Sequence, residues 1–482
     1  MDRRLKRGLF GRRQIFTSVE KITDKNIENV LARAMHIHEQ NRLEIEYLTK
    51  YHKGRQPILD RIKEVRPEIN HKIVENHAAE IVEFKTGYVF GSPIMFVKRG
   101  KCDMHEENNL DEDTTILTLN EMYFEESKQS KDLKLGRKMS ICGVGYRMIY
   151  PKKFQDGTSP FDVINLDPDT TFIIRSNDIY KRPVLGITYV KDCYGTKLKA
   201  IAYSDDKIWQ LEGGVNAGFH FVKKAVPNPL GMIPIIEYAN NEDYMGDFEW
   251  VLPLLDSLNI GLSDRLNDIS QHVQSLLWLN NAEIDKEKYD ELRDAGVIQT
   301  KSANGVQASI KYLEAVLNQS ETQTLIDYIY DTVRAIAGIP DRKVSTGGST
   351  GQAIQLSAGW ETAESMARAT ELQFIESQRE ELKVVLRILK DIPGENQKMS
   401  NLSLSDIDLK FSRSKSDNAL VKGQNLLNQL EAGIHPRVAI KECGMYSDAE
   451  QVYKDSESYL KKWMEQKETQ ANNQPWGTEG GD

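Results

Sequence analysis

The 482-residue chain carries 63 Lys and Arg against 72 Asp and Glu, a formal charge of −9 at pH 7, with 39% hydrophobic and 28% charged residues. That length suits two to four domains, and the composition is that of an ordered globular protein, which excludes collagen-like, mucin-like and wholly disordered chains. Apolar runs such as Val163–Leu166 and Ile233–Ile236 fall far short of the roughly 18–20 residues of a membrane span, and the acidic balance argues against a surface built to grip nucleic acid by neutralising phosphates.

Met1–Arg13 is basic with no apolar stretch behind it, so it reads as a flexible arm rather than a signal peptide, and the chain is expected to stay in the cytosol where it is made. Asp24–Lys50 is a polar helix with Ile27, Leu31, Ala34, Ile37 or His38, Asn41 and Ile45 on one face. A second helix is predicted over Lys72–Tyr88, ended by Gly87 and Gly91-Ser92-Pro93. Between Ile94 and Tyr238 short β-type runs follow one another, interrupted by a single helix over Thr114–Gly136. Strands that succeed each other without intervening helices make the fold class α+β.

After Tyr238 the pattern turns helical. Pro253 suits a first helical turn, and Leu255, Leu258, Leu262, Leu266, Ile269 and Val273 then form one narrow apolar stripe. A mixed insertion, Leu276–Ser320, precedes a helix over Glu321–Ala337 striped by Leu325, Ile329, Val333 and Ile336. Asp341–Gln352, with three glycines, reads as a mobile loop. Ala353–Asp391 holds no proline until after Asp391 and suits a helix of nearly 40 residues, about 60 Å long. A strand over Ile407–Phe411, a final helical pair from Asp417 to Lys467 and a disordered polar tail from Glu468 complete the chain.

Candidate chemistry is thin. Four cysteines, Cys102, Cys142, Cys193 and Cys443, form no C-x-x-C, and the nine histidines are not paired at ligand spacing, so neither a metal nor a cofactor is expected. Asp167-Pro168-Asp169-Thr170-Thr171 after an apolar strand is similar to the D-x-D-x-T signature of haloacid-dehalogenase-type phosphatases, which would give Asp167 and Asp169 catalytic roles. That chemistry needs a parallel α/β sheet and a distant acidic pair, so a plain Asp-Pro turn between antiparallel strands is the better reading. Gly347-Gly348-Ser349-Thr350-Gly351 opens a helix but lacks the G-K-[S/T] of a phosphate-binding loop. No catalytic residue is assigned, and the chain is read as a non-enzyme.

The order of parts, helical start, β-rich domain, polar helix, insertion, helix, glycine-rich loop, very long helix and helical end, resembles the portal proteins of tailed bacteriophages, in particular the SPP1-like portals. Locally, Asn76–Val82 leading into Gly87-Tyr88-Val89-Phe90-Gly91-Ser92-Pro93 resembles that family's G-Y-x-x-G-x-P run, Val163–Pro168 its strand ending in D-P, and Gly231–Tyr238 its G-x-x-P-x-x-x-Y approach to the stem. The resemblance covers roughly Asn26–Lys467 and turns the D-x-D-x-T match into an ordinary strand end.

That resemblance implies a basic arm over 1–25, a wing over 26–252, a stem helix over 253–275 and a clip over 276–320. A second stem helix over 321–340, a tunnel loop over 341–352, a long wing helix with its return strand over 353–412, a crown over 413–467 and a tail over 468–482 follow. It further implies a homo-oligomeric ring, a dodecamer in the virion, at one capsid vertex, assembled in the host cytoplasm. The ring would pass double-stranded viral DNA without sequence specificity and bind the terminase motor, a head-completion or adaptor protein, and capsid and scaffold proteins. Arg342, Lys343, Ser345, Thr346, Ser349 and Thr350 would face DNA, and ATP hydrolysis would belong to the motor. A head–tail adaptor, a ring without a DNA channel, is the alternative from the structural class. Twelve helices set about 10 Å apart close into a ring of roughly 38 Å across the axes, leaving about 27 Å free. A total charge on the order of −100 would keep DNA from adhering to the lumen.

Overall fold

The computed structural model describes residues 11–99, 110–152, 159–192, 197–214, 217–221, 223–273, 276–280, 309–313, 319–341, 359–391, 402–411, 419–443, 445–446 and 449–472. Two compact units divide at Ser412.

The first unit is α+β. Strand β1 (Ile15–Thr17) precedes α1 (Ile27–His52), α2 (His77–Phe90), β2 (Met95–Lys98), α3 (Leu110–Glu125) and α4 (Lys128–Cys142). The strands β3 (Val144–Pro151), β4 (Phe161–Leu166), β5 (Thr171–Ser176), β6 (Pro183–Lys191), β7 (Lys197–Tyr203), β8 (Lys207–Gly214), β9 (Ala217–Phe221), β10 (Val226–Pro227) and β11 (Ile235–Ala239) follow in succession. Then come α5 (Leu252–Val273), β12 (Leu276–Asn280), β13 (Ser309–Leu313), α6 (Gln319–Ala337), α7 (Trp360–Lys390) and β14 (Ile407–Lys410).

One sheet runs β1-β5-β6-β7-β8-β10 with β9 on β8; it is antiparallel except where β1 lies parallel to β5, Ile15 opposite Ile174. Alternate residues Leu185, Ile187 and Tyr189 on β6 point into a core closed by Ile27, Leu31 and Ala34 of α1, the two-residue period of a half-buried strand meeting a helical stripe. A second sheet, β11-β3-β4, packs with α3, α4 and α7 around Phe90, Tyr123, Phe161 and Phe374. The return strand β14 pairs with β2 and ties the far end of α7 to this core.

Four expectations change. The helix expected over Thr114–Gly136 is two, broken at Glu126-Ser127, where Ser127 takes φ 55°. The strand expected from Ser140 begins at Val144, because α4 continues to Cys142 and is capped by Gly143 at φ +80°, where a Cβ would stand 2.0 Å from the Tyr244 carbonyl oxygen. The helix expected from Lys72 starts at His77, and residues 72–76 lead into it without regular secondary structure. The long helix expected from Ala353 opens at Trp360 after Gly359, φ +80°, and is 31 residues long; residues 353–358 lie outside the described residues.

In the second unit the expected helical pair is present as α8 (Ala419–Glu431) and α10 (Ala449–Asn472), with a short additional helix, α9 (Pro436–Cys443), between them and Ala439, Ile440 and Cys443 buried. The tail expected to be disordered from Glu468 is helical as far as Asn472.

Candidate functional site

Among the described residues no group of three His, Cys, Asp or Glu side chains is arranged to hold a metal ion. Asp167 and Asp169 lie in the connection from β4 to β5, strands of two different, mainly antiparallel sheets rather than of one parallel α/β sheet. Asp167 is exposed and accepts from Lys138 Nζ at 2.6 Å. Thr170 N–H donates to the Asp167 carbonyl at 3.1 Å, which closes a turn. The Asp169 carbonyl accepts Tyr189 OH at 2.9 Å and lies 3.1 Å from His38 Nε2. These are the bonds of a structural turn between sheets, not of a phosphoryl-transfer pair. The Asp205-Asp206 turn is the hairpin end between β7 and β8.

The expected stem pair is the more informative region. Helix α5 opens from a 3-10 turn, Glu249–Val251. There the arm enters the fold: Arg12 is buried and donates to Glu249 Oε1 at 2.6 Å and lies 3.3 Å from Glu44 Oε2. Burial pushes the Glu249 carboxyl up, and the Arg12 guanidinium opposes that shift. Gly11, at φ +78°, passes so close to Asp243 that a Cβ would stand 1.7 Å from its carbonyl oxygen. The expected flexible arm is therefore built in from Gly11 onward; Met1–Phe10 lie outside the described residues.

On α5 the predicted stripe divides. Leu255 and Leu258 are buried against α1, α2 and α6, Leu262 is half-buried, and Leu266 and Ile269 are exposed. Val273 ends the helix, and its side chain is not among those described. Burial also pushes the Asp256 carboxyl up, against a hydrogen bond from Tyr51 OH at 2.9 Å.

Sequence reasoning missed a second row on α5. Asn259, Ser263 and Asn267 are all buried, and each accepts a backbone N–H from the strap of residues 53–76 between α1 and α2. Asn259 Oδ1 takes Glu75 N–H at 2.9 Å, Ser263 Oγ takes Ile73 N–H at 2.9 Å and Asn267 Oδ1 takes His71 N–H at 2.7 Å. Gln56 bonds Asn259, and Arg61 reaches Asp264 at 2.6 Å, so the strap is fastened at both ends. The four-residue spacing of these polar side chains is the signal that could have revealed one face.

Helix α6 packs on a different flank of α5. Gly261 faces Ile326, and Arg265 donates to Gln323. The predicted α6 stripe holds at Ile329 and Val333 and shifts by one position at each end. Ile326, Val333 and Ala337 are buried and Ile329 half-buried, whereas Leu325 and Ile336 are exposed together with Tyr328. A Cβ at position 261 would meet Ile326 at 3.7 Å, an ordinary van der Waals contact, so α6 packs over this point without depending on the glycine. At the far end of the pair, β12 and β13 form an antiparallel ribbon, Leu276 opposite Leu313. The remainder of the insertion lies outside the described residues, as do Arg342, Lys343, Ser345, Thr346, Ser349 and Thr350.

The family described as "Phage portal protein, SPP1 Gp6-like" matches residues 31–473. The chain is 24% identical over 357 residues to the portal protein of Bacillus phage SPP1, a match covering 70% of this chain and 66% of that relative, just under two thirds of its length. With a family match running through both compact units, the chain belongs to the SPP1 Gp6-like phage portal proteins.

Proposed function

We propose that copies of this chain close into a ring at one capsid vertex through which double-stranded viral DNA is packed and ejected, and that the ring docks the terminase motor and head-completion proteins. Within it, 26–252 is the wing, α5 and α6 the stem, 276–320 the clip, 341–352 the loop facing DNA, α7 the long wing helix and 413–467 the crown. The observation that carries the reading, beside family membership, is the second apolar row on α6. Leu325, Tyr328 and Ile336 are exposed on a helix whose other face is already packed on α5. A helix apolar on two faces needs two neighbours, and in a ring the second is supplied by the next copy.

The net charge of −9 per chain favours a lumen that lets phosphates pass rather than one that holds them. Arg342 and Lys343 are then the few attractive contacts on the loop, with Ser345, Thr346, Ser349 and Thr350 offering weak bonds to the DNA backbone.

Negative-stain top views and mass photometry of the purified chain test the ring. Rings with a hole of about 25–40 Å support it, and a monomer at every concentration and salt tried sinks it. Reversing the loop charge with Arg342→Glu and Lys343→Glu then tests the channel. Intact rings with reduced DNA packaging are expected; packaging that survives deletion of 341–352 would leave a ring without a DNA channel, the adaptor reading.

A further inference from the structure

We infer that the strap of residues 53–76 is the surface that receives α6 of the next copy, so that successive chains join head to tail, strap against α6. This rests on the ring reading above and names the two faces that make the ring.

Helix α5 is the spacer between the two faces. The strap is fastened along Asn259, Ser263 and Asn267, while α6 meets α5 at Gly261 and Arg265. Residues two apart on a helix lie about 200° around its axis, so the body of the strap and α6 occupy opposite flanks of α5, and they approach each other where the strap runs into α2, at His77 and Tyr330, whose ring centroids are 4.4 Å apart. Each flank ends in bare apolar side chains. On the strap, Ile62 is 87% and Val65 76% exposed; on α6, Tyr328 is 69% exposed, with Leu325 and Ile336 beside it.

The strap is not a loose loop that exposes its apolar residues by fraying. Arg61, next to Ile62, is held by Asp264 at 2.6 Å and by the His71 carbonyl at 3.2 Å. Asn70 Nδ2 donates back to the Arg61 carbonyl at 3.1 Å, and Ile69 N–H donates to the Arg66 carbonyl at 3.0 Å. Ile62 and Val65 are thus presented from a fixed turn.

Charge follows the same division. Lys53, Arg55, Arg61, Lys63, Arg66 and Lys72 outnumber Asp60, Glu64, Glu68 and Glu75 along the strap. Helix α6 carries Glu321, Asp327 and Asp331 against Arg334, which pairs with Asp341 at 2.8 Å and with Asp331 at 3.7 Å. A basic face and an acidic face on opposite flanks of one chain cannot satisfy each other within that chain, and two like faces would repel. A second copy, translated and rotated so that its strap meets the first copy's α6, matches apolar to apolar and basic to acidic. Contacts between unlike faces are the heterologous kind that close into rings, and the charge match selects the register.

The test uses the full chain in three forms, each followed by light scattering on a size-exclusion column and by thermal unfolding. The strap form carries Ile62→Glu and Val65→Glu; the helix form carries Leu325→Glu and Tyr328→Glu, Glu being a good helix former. Because all four side chains are exposed, each variant is expected to unfold cooperatively, with its unfolding temperature lowered only by the loss of the ring contacts, and Gln in place of Glu serves as the milder pair. Each variant alone is expected to lose at least tenfold of its ring fraction and run as monomer. Mixed in equal amounts, they are expected to form one-to-one dimers and no rings, since one intact strap can still meet one intact α6. Wild-type rings together with a mixture that stays monomeric, or a strap form that assembles as wild type does, would overturn the pairing while leaving the ring. A wild-type chain that is itself monomeric removes the ring reading and the interface with it.

Discussion

Asn267 Oδ1 on α5 accepts the backbone N–H of His71 at 2.7 Å, and the same relationship repeats at Ser263 with Ile73 and at Asn259 with Glu75. The repeat works because four residues of helix rise about 6 Å while two residues of extended chain advance about 6.6 Å. A helix side chain every fourth residue therefore meets every second amide of a strand laid along it. The strap obtains one edge of its backbone hydrogen bonding from side chains instead of from a sheet, which satisfies amides that burial would otherwise penalise.

Asn259→Ala removes the acceptor for Glu75 N–H and the bond with Gln56. A loss of about 2 kcal/mol is expected, between the cost of one hydrogen bond and of an unsatisfied buried pair. Urea unfolding gives that number, and hydrogen exchange at Ile73 and Glu75 should accelerate locally before global unfolding. The neighbouring substitution Ile260→Ala, at an exposed position, should stay within about 0.5 kcal/mol. Equal effects at the two sites would mean that the ladder contributes nothing special.

Glu381 brings a buried charge from α7 into the first unit's core. Arg147 of β3 donates to Glu381 Oε2 at 3.2 Å and to Asp132 Oδ1 at 2.8 Å; Tyr123 OH donates to Glu381 Oε1 at 2.9 Å, and Tyr238 OH bonds the other oxygen. Lys128 pairs with Asp132, so two cations meet two carboxylates among groups almost wholly shielded from water. Removing one member leaves an uncompensated charge. Glu381→Leu is expected to cost about 3–5 kcal/mol in a thermal or urea melt. Adding Arg147→Met should recover part of it, because Asp132 keeps Lys128. A single-variant loss below about 1 kcal/mol would show that water enters and screens the site.

The parts of the fold that sequence made legible are those governed by local rules. The strand run from Phe161 to Tyr238, with hairpin residues such as Asp205-Asp206, and the helices at Ile27, Leu252 and Gln319 follow from periodicity and punctuation. What stayed hidden depends on partners far along the chain. β1 is three residues inside a basic stretch and becomes a strand only because Ile15–Thr17 meets β5, whose partner residues begin at Ile174. The break at Ser127 carries no proline or glycine; it is set by packing, with Glu126 bonding Lys131, Lys152 and the Val163 amide. On α5 the leucine stripe was visible, yet the lower part of it is bare. The polar row beside it, which binds the strap, looked like ordinary solvent-facing composition. Buried polar residues read as surface until their partners are known.

His38 supplies a pH dependence whose sign can be fixed in advance. It is buried on α1, its ring stacks on Phe172 at 4.4 Å, and Nε2 faces the Asp169 carbonyl at 3.1 Å. A carbonyl only accepts, so Nε2 carries the hydrogen of the neutral ring. Burial pushes the imidazole down to about 4 from 6.5; the Asp169 carbonyl and Glu39 oppose this, and Arg42 adds to it. Between those two values the unfolded chain binds a proton that the folded chain refuses. Stability from this group is therefore complete above pH 6.5 and is lost progressively as pH falls towards 4, by about 3 kcal/mol in total. His38→Gln removes the titration, so the difference in unfolding free energy between wild type and variant should shrink steadily from pH 7 to pH 4. A difference that stays flat over that range would place the His38 ring in contact with water, protonating in the folded and unfolded chain alike.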